Sequence, residues 1–123
     1  MSRYELLVGE PWNFEGPDGQ NRVLVDFVGF IPGPNLPNWA DEYLLLKVVT
    51  PFQHNNELVE LMVASPRHSG DTIYEIEKIG GHVGVARIRP NISIVSGRPF
   101  IPADVDYFLI GRLTPLQGSK AFD

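Results

Sequence analysis

Residues 72–89 read Thr72-Ile73-Tyr74-Glu75-Ile76-Glu77-Lys78-Ile79-Gly80-Gly81-His82-Val83-Gly84-Val85-Ala86-Arg87-Ile88-Arg89. Two runs of β-type residues flank a Gly-Gly pair, which is the pattern of a tight hairpin. With Gly80 and Gly81 as the loop, Ile76 faces Val85, Tyr74 faces Arg87, Lys78 faces Val83 and Ile73 faces Ile88. One face then carries Tyr74, Ile76, Val83 and Val85 as core. The other turns Glu75, Glu77 and His82 toward solvent.

Working outward, similar runs recur along the chain. Residues 4–8 alternate. Residues 23–31 place Val23, Val25, Phe27 and Ile31 on one face, while Leu24, Val28 and Phe30 make the opposite face mostly apolar. Gly29 marks a bulge or bend there. Residues 43–50 form the most apolar run, stopped by Pro51. Residues 57–64 fit a strand face through Val59, Leu61 and Val63 and a helix face through Leu58, Leu61 and Met62. Their shortness and the stop at Ser65-Pro66 favour the strand. A short run at 92–95 and a last strand at 106–113 complete the set. Gly16-Pro17-Asp18-Gly19 has the composition of a turn, and Asn38 is a candidate cap for one helical turn through Asp41-Glu42.

The fold class that follows is all-β: a small barrel or sandwich of about six or seven mostly antiparallel strands, with at most one or two short helical turns. Residues 1–114 read as one domain and 115–123 as a flexible C-terminal tail. The 123-residue length suits one core, and 43% hydrophobic with 20% charged residues argues against disorder. The 23 glycines and prolines fall between apolar runs, as punctuation does in a β protein.

The cysteine count is zero, which removes disulfides, cysteine zinc sites and thiol nucleophiles. The N-terminus lacks the basic start and apolar stretch of a signal peptide. No apolar run approaches the ~20 residues of a membrane span. The expectation is a soluble, cytoplasmic protein. The net charge of −5 disfavours a nucleic-acid surface. It is unevenly spread: residues 1–61 carry nine acids and three bases, whereas residues 62–123 carry six acids and seven bases. That asymmetry suits self-association or anion binding.

No motif specifies a reaction. His54, His68 and His82 lie in separate segments without metal-ligand spacing, so no metal site and no cofactor are expected. There is no Gly-x-Ser-x-Gly, and Gly80-Gly81-His82-Val83-Gly84 lacks the lysine and context of a phosphate loop. His82 is a candidate base oriented by Glu75 or Glu77. Asp41-Glu42 and Asp104 with Asp106 lie at strand entrances, where acids serve solubility. Asp26 sits inside an apolar strand and, if buried, calls for an arginine partner. Arg87 and Arg89 share a strand face and Arg112 lies in the last strand. These arginines, with His82 and Asp26, are the candidate anion- or carboxylate-binding residues. Trp39, in a proline-rich loop, reads as a lid over the mouth of a barrel or as an interface anchor, with Trp12 and Phe14 as further interface candidates.

The sequence thus favours a non-catalytic binding or assembly module, self-associating as a homo-oligomer, with no catalytic residues assigned. A barrel binding a small anion or carboxylate, with or without enzymatic activity, is the alternative. A single-stranded nucleic-acid-binding barrel is a weaker one.

Overall fold

The computed structural model describes residues 2–9, 22–54, 56–68, 70–90, 92, 94 and 98–116. Trp12, Phe14, the expected turn at 16–19 and residues 117–123 lie outside the described residues, as does much of the expected run at 92–95. Six strands form a closed antiparallel barrel in sequence order: β1 (Arg3–Val8), β2 (Arg22–Pro32), β3 (Glu42–His54), β4 (Glu57–Pro66), β5 (Gly81–Ile88) and β6 (Val105–Pro115). One short helix, α1 (Ile73–Ile79), joins β4 to β5, and a 3-10 turn at Pro102–Asp104 precedes β6. Closure pairs β1 with β6, matching Leu6 to Leu113 and Tyr4 to Pro115. The backbone N–H of Leu116 continues that seam by donating to Arg3 O.

The expected hairpin at 72–89 is not formed. Its first arm is α1, and β5 pairs instead with β4 and β6. Thr72 explains why: its hydroxyl accepts the Glu75 N–H while the Glu75 carboxylate accepts the Thr72 N–H, a reciprocal capping box. Ile73 and Ile76, three apart, then fall on one helical face and are buried. Gly80, at φ 77°, ends the helix and returns its N–H to Ile76 O. Of the four residues expected as core, Ile76, Val83 and Val85 are buried, but Tyr74 lies on the outer side of α1, 54% exposed. The expected helical turn after Asn38 is also absent. Asn35 and Asn38 adopt left-handed conformations in an irregular loop.

The barrel interior is a single apolar cluster including Tyr4, Leu6, Val23, Val25, Leu44, Leu46, Met62, Val83, Val85, Leu109 and Leu113. Ile73 and Ile76 belong to it, so α1 plugs one end. Each such buried aliphatic side chain contributes about 1.5–3 kcal/mol relative to exposure. Tyr4 pins the plug by donating its hydroxyl hydrogen to the Glu77 carbonyl. A second cluster lies on the outer wall, where Tyr43, Leu45, Val63, Ala86 and Ile88 meet Ile31, Phe100 and Val105. The two-sided apolar pattern of β3 therefore reflects burial on both faces.

Bulges redirect side chains. The β2–β3 register shifts between Phe27 and Gly29. The odd-numbered face of β2 consequently splits: Val23 and Val25 point inward, whereas Ile31 joins the outer cluster. Pro51 does not end β3, which slips register between Lys47 and Phe52 and continues to His54. In β6 the pairing jumps from Val85↔Leu109 to Arg87↔Asp106, with Tyr107 at φ 51°. That extra residue sends Val105 outward and brings Asp106 to Arg87.

Candidate functional site: an aromatic groove on the barrel wall

Arg87 is fully buried. It alternates with Ala86 and Ile88 of the outer cluster and pairs across the sheet with Met62, so it enters the interior at the end opposite α1. Its Nε donates to Asp106 Oδ1 at 2.8 Å and its Nη2 to Asp106 Oδ2 at 2.6 Å. Nη2 also reaches Glu57 Oε2 at 3.2 Å and Nη1 the Leu58 carbonyl at 3.4 Å. The Tyr107 ring lies 4.6 Å below the guanidinium carbon, and its hydroxyl donates to Glu57 Oε1 at 2.7 Å. Burial acts to lower the Arg87 pKa, but the two carboxylates outweigh it and hold the pKa above its ordinary value. Glu57 is held below its ordinary value by the Tyr107 hydroxyl first and Arg87 second. Arg89 adds a contact to Asp106 Oδ2 at 3.3 Å. The second end of the barrel is thus closed by a saturated ion cluster.

The other sequence candidates sit apart from it. Asp26 has the arginine partner its setting demands: Arg3 donates to both carboxylate oxygens, at 2.8 and 3.1 Å. His82 and Arg112 are directly opposed on β5 and β6, on the outer wall near α1. The His82 ring lies 5.3 Å from that of His68. The five proposed anion ligands therefore separate into three places: Arg87 with Arg89 at one barrel end, His82 with Arg112 on the wall near the other, and Asp26 on β2. Among the described residues no group of three or more histidines, acids or cysteines is placed to hold a metal ion. No helix among them is long and apolar enough to cross a membrane.

Trp39 does not cover a barrel mouth. It packs on the outer wall, edge-on to Phe100 at 6.1 Å and to Phe108 at 5.7 Å between ring centroids. Tyr43 anchors its loop by accepting the Ala40 N–H at 3.1 Å, and burial pushes the Tyr43 phenol pKa upward, keeping it neutral. Beside this Trp39–Phe108 pair, and lined by both rings, an open groove of about 590 Å³ runs over β4, β5 and β6. Phe108 is 51% exposed. Gly84 forms the groove floor: a Cβ added there would meet nothing closer than Ser65 Oγ at 4.0 Å. Arg67 stands in the lining, one residue beyond the end of β4, and its side chain has no ion pair with a described residue.

Sequence reading singled out Trp39 but missed Arg67, Gly84 and Phe108. The available signal was the outward-facing series His82, Gly84, Ala86 beside the exposed series Phe108, Ile110, Arg112. It became legible only once β5 was known to pair with β6 rather than with residues 72–79. Comparison of the chain with family models, with curated proteins and with solved structures gave no match.

Proposed function

We infer that this protein is a non-catalytic binding module whose recognition surface is the groove lined by Trp39, Phe108 and Arg67. The observation that carries the reading is a concave, aromatic-walled space of about 590 Å³ on the barrel wall. Such dimensions fall in the range of ligand sites, and the lining mixes apolar with polar groups. Its polar side chains include Arg67, Ser65 and Asn38. A guanidinium remains protonated at any working pH, so it binds and orients rather than transferring protons. The ion cluster around Arg87 supports the same reading, because its charges are spent on closing the barrel.

Fragment binding followed by 1H–15N correlation spectra tests this. Small aromatic fragments should give saturable shifts centred on Trp39, Ser65, Gly84 and Ile110. Shifts centred on α1 or on the Arg87 end would contradict it.

Self-association is a second reading, favoured by exposed Leu7, Leu24, Phe108 and Ile110 on the outer wall of β2, β1 and β6. In a closed barrel every strand has two neighbours, so copies would meet face to face rather than by adding strands. Sedimentation equilibrium should show a dimer that Leu7→Glu weakens. A monomer at all working concentrations removes this reading and leaves the groove untouched.

A further inference from the structure

We propose that the groove takes a small amphiphilic carboxylate, its apolar body against the packed Trp39–Phe108 pair and its carboxylate on Arg67. The proposal rests on the reading of the groove as a recognition surface and names its ligand class.

Three observations carry it. First, the arginines are unequally employed. Arg3, Arg22, Arg87 and Arg89 each meet a carboxylate of this chain. Arg67, Arg98 and Arg112 meet none among the described residues, although the chain as a whole has an excess of acids, and of these three only Arg67 lines the groove. Second, Arg67 lines the same concavity as two aromatic walls. A planar guanidinium presents paired N–H donors that match the two oxygens of a carboxylate, which a solvated lysine does not. Third, further nitrogen-bearing side chains stand on the wall beyond Arg67. The Arg67 N–H donates to the His82 carbonyl at 3.0 Å, His82 opposes Arg112, and the His68 ring adjoins His82. The β3–β4 register, Leu44 opposite Ala64, continues toward Glu42 and Asp41 at the Arg67 end of β4; Glu42 accepts the Tyr74 hydroxyl, and Glu5 farther along the wall pairs with Arg22. His82 and Arg112 stand on the wall outside the groove lining, and Arg87 is withdrawn into the barrel end, which leaves Arg67 as the arginine of the groove.

The floor explains the fit. Gly84 leaves open the space that a side chain on β5 would fill, so a flat ring can lie against the sheet beside the Trp39–Phe108 pair. Free organic acids and the C-terminal carboxylate of a peptide share this chemistry, and the test separates them.

Isothermal titration of the full chain with indole-3-propionate and with its uncharged primary amide tests the proposal. A charge-assisted pair predicts that the acid binds roughly tenfold more tightly than the amide. Arg67→Met should bring that ratio close to one without changing the melting temperature, since Arg67 is exposed. Phe108→Ala should weaken acid and amide alike. The tripeptide Gly-Gly-Trp binding more tightly than the free acid would assign the carboxylate to peptide C-termini; weaker binding would assign it to free acids. Equal affinity of acid and amide for the wild type overturns the carboxylate and leaves the groove standing. A tenfold preference that survives Arg67→Met overturns the role of Arg67. Absence of binding by either compound up to about 5 mM, well above the weakest affinities of specific ligands, overturns the proposal, and failure of the fragment spectra as well would remove the groove reading itself.

Discussion

Arg87 and Asp106 are joined by two parallel hydrogen bonds, at 2.8 and 2.6 Å, with no part of Arg87 reaching solvent. Removing one partner of such a pair leaves the other charge uncompensated, a larger loss than the net worth of the pair. Arg87→Met should cost about 3 kcal/mol in urea unfolding. Arg87→Lys should recover only part of this, because an ammonium cannot reproduce the fork on Asp106. Full stability of Arg87→Lys would show that charge alone, not geometry, closes this end of the barrel.

Acid should weaken both this ion cluster and the separate Arg3–Asp26 pair. The Tyr107 hydroxyl and Arg87 hold Glu57 below its ordinary value of 4.5, and Arg3 holds Asp26 below 3.8. The folded state therefore takes up these protons later than the unfolded chain. The stabilisation is complete above the unfolded values and is lost as the pH falls through the depressed folded ones. Unfolding free energies measured from pH 6 downward should decline below about pH 4.5. The Asp26→Asn, Glu57→Gln double variant should show a shallower decline. An identical slope in wild type and double variant would remove these two groups as its source.

Alkali should release the helical plug. Burial first, and the Glu77 charge second, push the Tyr4 hydroxyl from 10.0 to about 12. A raised folded value means that the contribution is fully present below pH 10 and fades as the pH climbs through 12. Tyr4→Phe removes the donor to the Glu77 carbonyl and should cost about 1 kcal/mol at pH 7. The gap between wild type and Tyr4→Phe should then close by pH 12. A gap that stays constant from pH 7 to pH 12 would mean that the Tyr4 hydroxyl does not titrate as described.

Two glycines four residues apart should respond in opposite ways. A Cβ on Gly80 would lie 2.2 Å from Leu113 O and 2.7 Å from Pro115 Cδ, at a φ of 77°. Both the clash and the left-handed conformation oppose a side chain, so Gly80→Ala should cost more than ~2 kcal/mol. Gly84 has open space and a strand conformation, and Gly84→Val should leave stability unchanged or raise it by up to ~1 kcal/mol. Thermal unfolding of the two variants checks both, and equal destabilisation would contradict the assigned helix end.

Much of the barrel was legible because period-two alternation and Gly/Pro breaks are local signals. Residues 57–64 were correctly read as a strand on their shortness and flanking stops. Residues 72–79 were misread because Ile, Tyr and Thr suit strands and Gly-Gly suits a hairpin. The capping box Thr72-x-x-Glu75 and the Ile73/Ile76 spacing carried the competing helical signal, and the plugged barrel end rewards it with burial. The bulges at Gly29 and Tyr107 decide which residues face inward. Only the first was marked by a glycine; the second follows from the demand of buried Arg87 for Asp106. The site was least legible, because the groove is assembled from residues 38–43, 63–67, 84–86 and 108–110. Their adjacency depends on the β4–β5–β6 pairing, which no local pattern encodes.

The most direct measurement is a pair of 1H–15N titrations with indole-3-propionate, on wild type and on Gly84→Val. The substitution touches neither Trp39 nor Arg67 and fills only the floor between them. The wild type should show saturable shifts at Trp39, Ser65, Gly84 and Ile110, and Gly84→Val should show none while melting at or above the wild-type temperature. Undiminished binding by a folded Gly84→Val variant would contradict the groove as the recognition surface of this protein.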